Sequence, residues 1–312
     1  MFYVQVYYTT TYCGQSRDVC IDFLYFVVFA VDNYNSKIYY ILEENECLIV
    51  GDDMLSFWQP IIFHTPYEHE NIEIYACSDQ HSGSCDFVPK RWDNFAKLLE
   101  KDNAYVIFAG DQMENATKTS KSNSYTQAMR PSEQKVWWID HLKPYKDKII
   151  CIVDGNHEYN RTTKEVDMYP LYDIACALGI EERYRSEAAF VDIGVGKRDN
   201  KSTPRQFQYV GYVVHKAHNI VNYGTADAIE NIDFLISGHT HKPNDKPLGK
   251  IGFDATNKVV YERTVENIVC GSYLRYADYA IRNGMRPCSS KQYKLILDGK
   301  KKSIETVGFH LN

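Results

Sequence analysis

Ile149-Ile150-Cys151-Ile152-Val153-Asp154-Gly155-Asn156-His157-Glu158 joins a short apolar run to a turn bearing an amide, an imidazole and a carboxylate. The run is brief and rich in β-branched residues, which reads as a buried strand that delivers polar groups at its end. Three other places repeat the construction. Ile72 to Cys77 precedes Asp79-Gln80-His81, Tyr105 to Ala109 precedes Gly110-Asp111, and Phe234 to Ser237 precedes Gly238-His239-Thr240-His241. Segments of helical spacing lie between them, so strands alternate with helices and the chain reads as an α/β protein.

Pro89 to Glu100 predicts a helix with Trp92, Phe95, Leu98 and Leu99 along one side. Pro131 opens a second, in which Val136, Trp137, Ile139 and Leu142 repeat at helical spacing. Tyr169 to Leu178 predicts a third, closed by Gly179. Further strands are expected near Ala188 to Ile193, Gln208 to Val214, Asn267 to Cys270 and Tyr293 to Leu297. The last turns back through Asp298-Gly299 into a final strand toward Phe309.

Residues 1–70 differ from the rest. Phe2 to Tyr8, Cys20 to Val31, Lys37 to Leu42 and Cys47 to Val50 are aromatic and β-branched, with polar turns between the later ones. That pattern predicts a hairpin or meander. The reading is a β-rich N-terminal extension over 1–70 and a main domain over 71–312, with Pro60 and Pro66 marking the crossing.

Hydrophobic residues at 44% and charged residues at 24% of 312 are ordinary for a soluble globular protein. A net charge of −6 argues against a long polyanion as partner, because such substrates need a basic track. The nine cysteines are odd in number and scattered, with no CxxC pair, so reduced thiols and a cytoplasmic location are expected. Ile21 to Val31 is too short to cross a bilayer and lacks the flanks of a signal peptide, so no membrane association is expected.

Asp79 and His81 are two residues apart at a strand's end, so an extended backbone would point both the same way, and His239 and His241 repeat the arrangement. Asp111, after a glycine, is placed to bridge two cations. Asn156 offers a neutral oxygen, which leaves a metal more electrophilic than another carboxylate would. Each motif alone has a plainer explanation: Gly155-Asn156-His157-Glu158, for example, reads equally as a capped helix start. Taken together in order, they predict two divalent ions at the ends of several strands. No thiolate is among the donors, which suits Mn2+, Fe2+, Zn2+ or Ni2+, and manganese fits the oxygen donors best. His64, His69, His141 and His310 are read as surface or structural histidines, and Glu158 as a helix cap or a support for His157.

In this order the motifs resemble those of the calcineurin-like metallophosphoesterase superfamily. Within it, Gly110 to Thr117 and Tyr273 to Tyr279 are similar to phosphoesterases often encoded by bacteriophages. The resemblance runs from about Asn71 to the late 280s. It implies a four-layer α/β/β/α sandwich of two mixed sheets. It also implies that Asp79, His81 and His241 hold one ion, that Asp111 bridges, and that Asn156, His239 and His215 complete the ligand set of the second ion. The family often has glycine after the last-named histidine, whereas this chain reads His215-Lys216-Ala217-His218, so His218 stands as a rival ligand. His157, facing away from Asn156, is expected to meet the scissile phosphate and to stabilise charge or protonate the leaving oxygen. The implied reaction is in-line attack on phosphorus by a hydroxide held between the ions.

Protein serine/threonine phosphatases carry Asp-Arg-Gly where this chain has Asp111-Gln112-Met113-Glu114-Asn115. Purple acid phosphatases place a tyrosine ligand where Glu114 stands, so a ferric tyrosinate site is not expected. The reading that remains is a phosphodiesterase acting on a nucleotide or short nucleic-acid substrate. A phosphomonoesterase or nucleotidase comes next, and a non-catalytic scaffold last. The N-terminal extension has three available roles: packing on the main sheet, forming an oligomer interface, or covering the site.

Overall fold

Strands that are apolar on both faces must be covered on both sides, and that requirement organises the main unit of the chain. A computed structural model describes residues 26–32, 35–42, 46–49, 56–120, 124–199, 201, 204–215, 228–287 and 289–311. The chain divides into two units, Met1–Gln59 and Pro60–Asn312.

In the first unit, β1 (Phe26–Asp32), β2 (Asn35–Leu42) and β3 (Glu46–Ile49) form an antiparallel meander, with Phe26 opposite Ile41 and Tyr39 opposite Ile49. The strand expected over Phe2 to Tyr8 lies outside the described residues.

The second unit opens with β4 (Ile61–His64), which pairs in parallel with a strand of the main body and turns Ile61 and Phe63 inward. The main body therefore takes up residues ahead of the boundary at 71 drawn from the sequence. Then follow β5 (Asn71–Cys77), α1 (Pro89–Leu98), β6 (Ala104–Ala109), α2 (Pro131–Leu142), β7 (Ile149–Val153), α3 (Asn156–Glu158), α4 (Pro170–Leu178) and β8 (Tyr184–Arg185). The rest is β-rich: β9 (Ala188–Val195), β10 (Phe207–Val214), β11 (Phe234–Ser237), β12 (Asn244–Asp245), β13 (Leu248–Asp254), β14 (Val259–Val269), β15 (Lys291–Asp298) and β16 (Ile304–His310).

Two mixed sheets result, as expected. One runs β16-β15-β5-β6-β7-β8, with β5 to β8 parallel and β15 antiparallel to β5. The other runs β12-β14-β11-β10-β9-β4, with β13 added on β14. Ile72, Ile74, Tyr105, Ile107 and Ile150 share one core with Val191, Tyr209, Val213 and Ile236 of the other sheet. On the opposite face of the first sheet, Tyr75, Val106, Phe108 and Ile152 pack with Trp92, Phe95, Trp138 and Ile174 of the helices. Period-two alternation thus feeds two cores from one strand. The connection from β10 to its parallel neighbour β11 passes through residues 216–227, outside the described residues. No helix among the described residues is long and apolar enough to cross a membrane.

A polar cluster ties the first sheet together. Glu73 on β5 accepts from Lys294 Nζ (2.6 Å), Tyr75 Oη (2.5 Å) and Lys101 Nζ (3.0 Å). Burial opposes ionisation of Glu73, but those donors outweigh it and hold the carboxyl at about 2. The folded value lies below the unfolded one near ~4.3, so the stabilisation is complete above that pH and fades as pH falls toward the folded value. Glu73→Gln is expected to lower stability by about 1–3 kcal/mol at neutral pH. The gap from wild type should narrow in urea melts between about pH 5 and pH 3.

Candidate metal centre

β5, β6, β7 and β11 each finish, at their carboxyl ends, in one of the four polar turns, where open α/β sheets place their ligands. The backbone there is not extended. Asp79 (φ 56°), His81 (φ 50°), Asp111 (φ 54°), His239 (φ 76°) and His241 (φ 55°) all lie in the left-handed region. This corrects the period-two reading of Asp79-x-His81 and His239-x-His241. Aspartate and histidine are among the few L residues that enter this region readily, still at some cost in strain. Hydrogen bonds between the turns offset it: Asp79 N donates to Gly110 O (3.0 Å), His81 N to Asp111 O (3.0 Å) and Tyr273 N to Asp79 O (3.1 Å).

Two glycines let the turns close on one another. A Cβ on Gly238 would stand 2.0 Å from Ser78 Oγ, and one on Gly155 would stand 2.0 Å from Asp111 Oδ1 and 2.2 Å from Asp111 N. Gly155→Ala is therefore expected to displace Asp111, with the divalent metal retained after reloading falling by half or more in elemental analysis while the helices survive in circular dichroism.

The described donor atoms converge. His81 Nε2 and His241 Nε2 are 3.0 Å apart, and Asp79 Oδ1 lies 3.2 Å from the latter and 3.8 Å from the former. Asp111 Oδ2 lies 3.2 Å from His215 Nε2 and 3.8 Å from both His81 Nε2 and His157 Nε2. Asn156 Oδ1 is 3.2 Å from His215 Nε2, and the His239 ring stands 5.4 Å from that of His215. Three overlapping sets emerge: Asp79–His81–His241, His81–Asp111–His157 and Asp111–His215–His239, each with its ligand atoms within 4.8 Å of one another. All eight residues singled out in the sequence thus come together, and His218 lies outside the described residues.

The electrostatics fit a cation. Burial raises the carboxyls of Asp79 and Asp111, yet the imidazoles outweigh it and hold both below the ordinary range: His241 and His215 for Asp79, and His157, His215 and His81 for Asp111. Burial likewise lowers His215, but Asp111 and Asp79 overcome it and push the ring up to about 10. A proton is thus drawn to a place where negative charge exceeds positive. The ring orientations suit ligation too. His215 Nδ1 lies 2.8 Å from the Ala109 carbonyl and His81 Nδ1 lies 3.3 Å from Glu114 Oε2, which leaves each Nε2 facing the carboxylates.

Two residues that sequence reasoning passed over stand beside His157. Glu114 Oε2 is 3.4 Å from His157 Nδ1, and its Oε1 accepts from Arg161 Nη1 at 3.0 Å. Burial opposes ionisation of Glu114, but His157 and His81 outweigh it and hold the carboxyl far below its usual range. Arg161 Nη2 reaches His157 Nε2 at 3.1 Å. The signal was present in the spacing, since Arg161 follows His157 by four, one turn along a helix.

Glu158 is wholly buried and accepts from the amides of Asp111 (3.1 Å), Met113 (2.9 Å) and Gly155 (2.9 Å). Burial and Asp111 push its carboxyl up to about 7. Asn156 is the first residue of α3 rather than its cap, since Gly155 precedes the helix and donates to Glu158. Of the histidines set aside, His64 pairs with Gln206 Oε1 (2.9 Å) and His141 stacks on Trp137 (3.8 Å between centroids).

No curated protein sequence matches the chain. Among solved structures, the phosphoesterase Yfce of E. coli is 14% identical, with 77% of this chain and 100% of that one covered at a TM-score of 0.33. A metallophosphoesterase from Sphaerobacter thermophilus is 13% identical, with 77% and 89% covered at a TM-score of 0.36. GAP50 of Plasmodium, described as the anchor in the inner membrane complex, is 10% identical, with 78% and 86% covered at 0.41. The sequence model of the Calcineurin-like phosphoesterase family matches residues 72–243, over half of the chain and every turn described above, and the chain belongs to that family.

Proposed function

We propose that this chain hydrolyses phosphate esters with two divalent metal ions, as a phosphodiesterase acting on a nucleotide or short nucleic-acid substrate. The observation that carries the reading is the place of Asp111, whose Oδ2 lies 3.8 Å from His81 Nε2 of the Asp79–His81–His241 set and 3.2 Å from His215 Nε2 of the set that includes His239. A carboxylate within reach of two neighbouring sets is what a pair of closely spaced ions needs. Asp79, His81 and His241 would hold one ion and Asn156, His215 and His239 the other, with Asp111 between them. When bound, such ions supply positive charge that acidifies water and neutralises phosphoryl oxygens. Manganese suits these oxygen and imidazole donors.

The chain's own residues supply the rest. Arg161 Nη2 donates toward His157 Nε2, and Glu114 faces His157 Nδ1, so the ring is held between a cation and an anion. Substrate arriving beside Asp111 would meet the guanidinium and the imidazole together, one to bind phosphoryl oxygen and the other to assist the leaving oxygen. Glu158 fixes the turns that carry Asp111 and Asn156. Diester preference rests on resemblance, as does the closer likeness of Gly110 to Thr117 to phage phosphoesterases. Among the described residues, Cys77, Cys85, Cys151, Cys176 and Cys270 are free thiols, and the cytoplasmic reading rests on the odd, scattered cysteines of the sequence.

Hydrolysis of an aryl phosphodiester beside its monoester, with metal-stripped protein reloaded with manganese, tests the reading. Dominant diester cleavage supports it. Dominant monoester cleavage replaces it with a nucleotidase or phosphatase, and silence on both with two metals bound leaves a narrow substrate or the scaffold reading.

A further inference from the structure

Large apolar side chains are concentrated at one exposed place in the second unit. In the β13–β14 hairpin, Ile251 is 77% exposed, Phe253 59% and Val260 66%, with Val259 and Tyr261 exposed beside them. Phe253 lies opposite Val260 and Ile251 opposite Glu262 in the register, so alternation puts Ile251, Phe253 and Val260 on one face, with Glu262 at its rim. The other face carries Lys250, Gly252 and Asp254, with the Tyr261 ring across Gly252, where a Cβ would come 2.4 Å from Cζ. Among the described residues β13 pairs only with β14, so its second edge offers backbone donors and acceptors to another strand.

The polarity of that edge is self-complementary. Lys250-Ile251-Gly252-Phe253-Asp254 reads cation, apolar, glycine, apolar, anion. Two such strands related by a two-fold axis through Gly252 place Lys250 against the partner's Asp254 and Ile251 against the partner's Phe253, each pair twice. Lys250 and Asp254 have the same parity, as do Ile251 and Phe253. Outward-facing backbone groups therefore meet outward-facing ones, as antiparallel pairing requires. Lys250 Nζ reaches Ile229 O, outside the hairpin, at 3.3 Å, and Asp254 holds its own turn through Thr256 N at 2.9 Å, so both charges are held by their own protomer. A parallel arrangement would set Lys250 against its own copy.

We propose that β13 pairs antiparallel with β13 of a second copy of this chain about a two-fold axis through Gly252. The two sheets become continuous, and the Ile251, Phe253 and Val260 faces of both copies join in one apolar row. This interface is independent of the hydrolytic reading.

Sedimentation equilibrium of the full chain, from about 1 to 100 µM, tests it. A species of twice the 36.2 kDa chain mass is expected. In hydrogen exchange, amides of residues 249–254 should be protected as concentration rises. Phe253→Lys, at an exposed position, is expected to be monomeric with an unchanged circular dichroism spectrum. Lys250→Asp should raise the dimer dissociation constant about tenfold, through two like-charge pairs, and Lys250→Asp with Asp254→Lys should recover it. A monomeric wild type overturns the proposal and leaves the hairpin to a partner of another kind. A dimer that survives Phe253→Lys, or forms without protection of 249–254, overturns it in favour of another face such as the N-terminal strands.

Discussion

Replacing His157 with alanine is expected to lower turnover by about 10²–10⁴-fold, the range for loss of a general acid or base, while two metal equivalents stay bound. The expectation follows from what holds the ring. His157 sits between Glu114 and Arg161, and its amide donates to Asp111 Oδ1 at 2.9 Å, a backbone bond that alanine keeps. The geometry also defines the rival outcome. His157 shares a donor set with His81 and Asp111, so if it were a ligand, metal would be lost along with activity. Elemental analysis beside kcat separates the two. Turnover lost with metal retained supports a role at the phosphate, whereas parallel loss makes His157 a ligand.

Asp111→Asn is expected to do more. It removes the carboxylate that reaches His81 and His215 of the two proposed ion sites, so in manganese-reloaded protein bound metal should fall from the proposed two equivalents to one or fewer, and turnover by about 10³-fold or more. The scaffold should endure. Asparagine keeps an Oδ1 to accept from His157 N and has the same shape beside Gly155. In chelator the variant should melt at or above the wild-type temperature, because a buried anion among imidazoles is costly without its cation. A variant that retains two metals would remove Asp111 from the bridging role.

The motif strands were legible because β5, β6 and β7 are covered on both faces, which forces apolar runs whose ends stand out as polar breaks. Asp79, Asp111, Asn156 and His239 are found at those breaks. Their backbone was not legible, because a two-residue spacing is silent about φ, and extended geometry is only the default. Glu114 and Arg161 acquire meaning from a contact between two turns that no local pattern encodes. β13 escaped notice for a different reason. With Ile251 and Phe253 facing solvent and glycines at 249 and 252, it carries little of the burial signal that reveals a strand. β4 is short and flanked by prolines, which made it look like a linker until its pairing with β9 showed Ile61 and Phe63 in the core.

Glu158 binds three amides drawn from two strand ends, all through its own carboxylate. The turns after β6 and β7 are therefore tied into one cradle by the chain's own groups, and on the proposed reading metal uptake is expected to be docking rather than coupled folding. Metal-stripped protein is expected to keep a cooperative melt in calorimetry. Added metal is expected to raise its unfolding free energy only by the mass-action increment RT ln(1 + [M]/Kd), about 2.7 kcal/mol at a hundredfold excess over Kd. Ions of different size then compete on the chemistry of their donors alone, because the protein does not refold around each in turn.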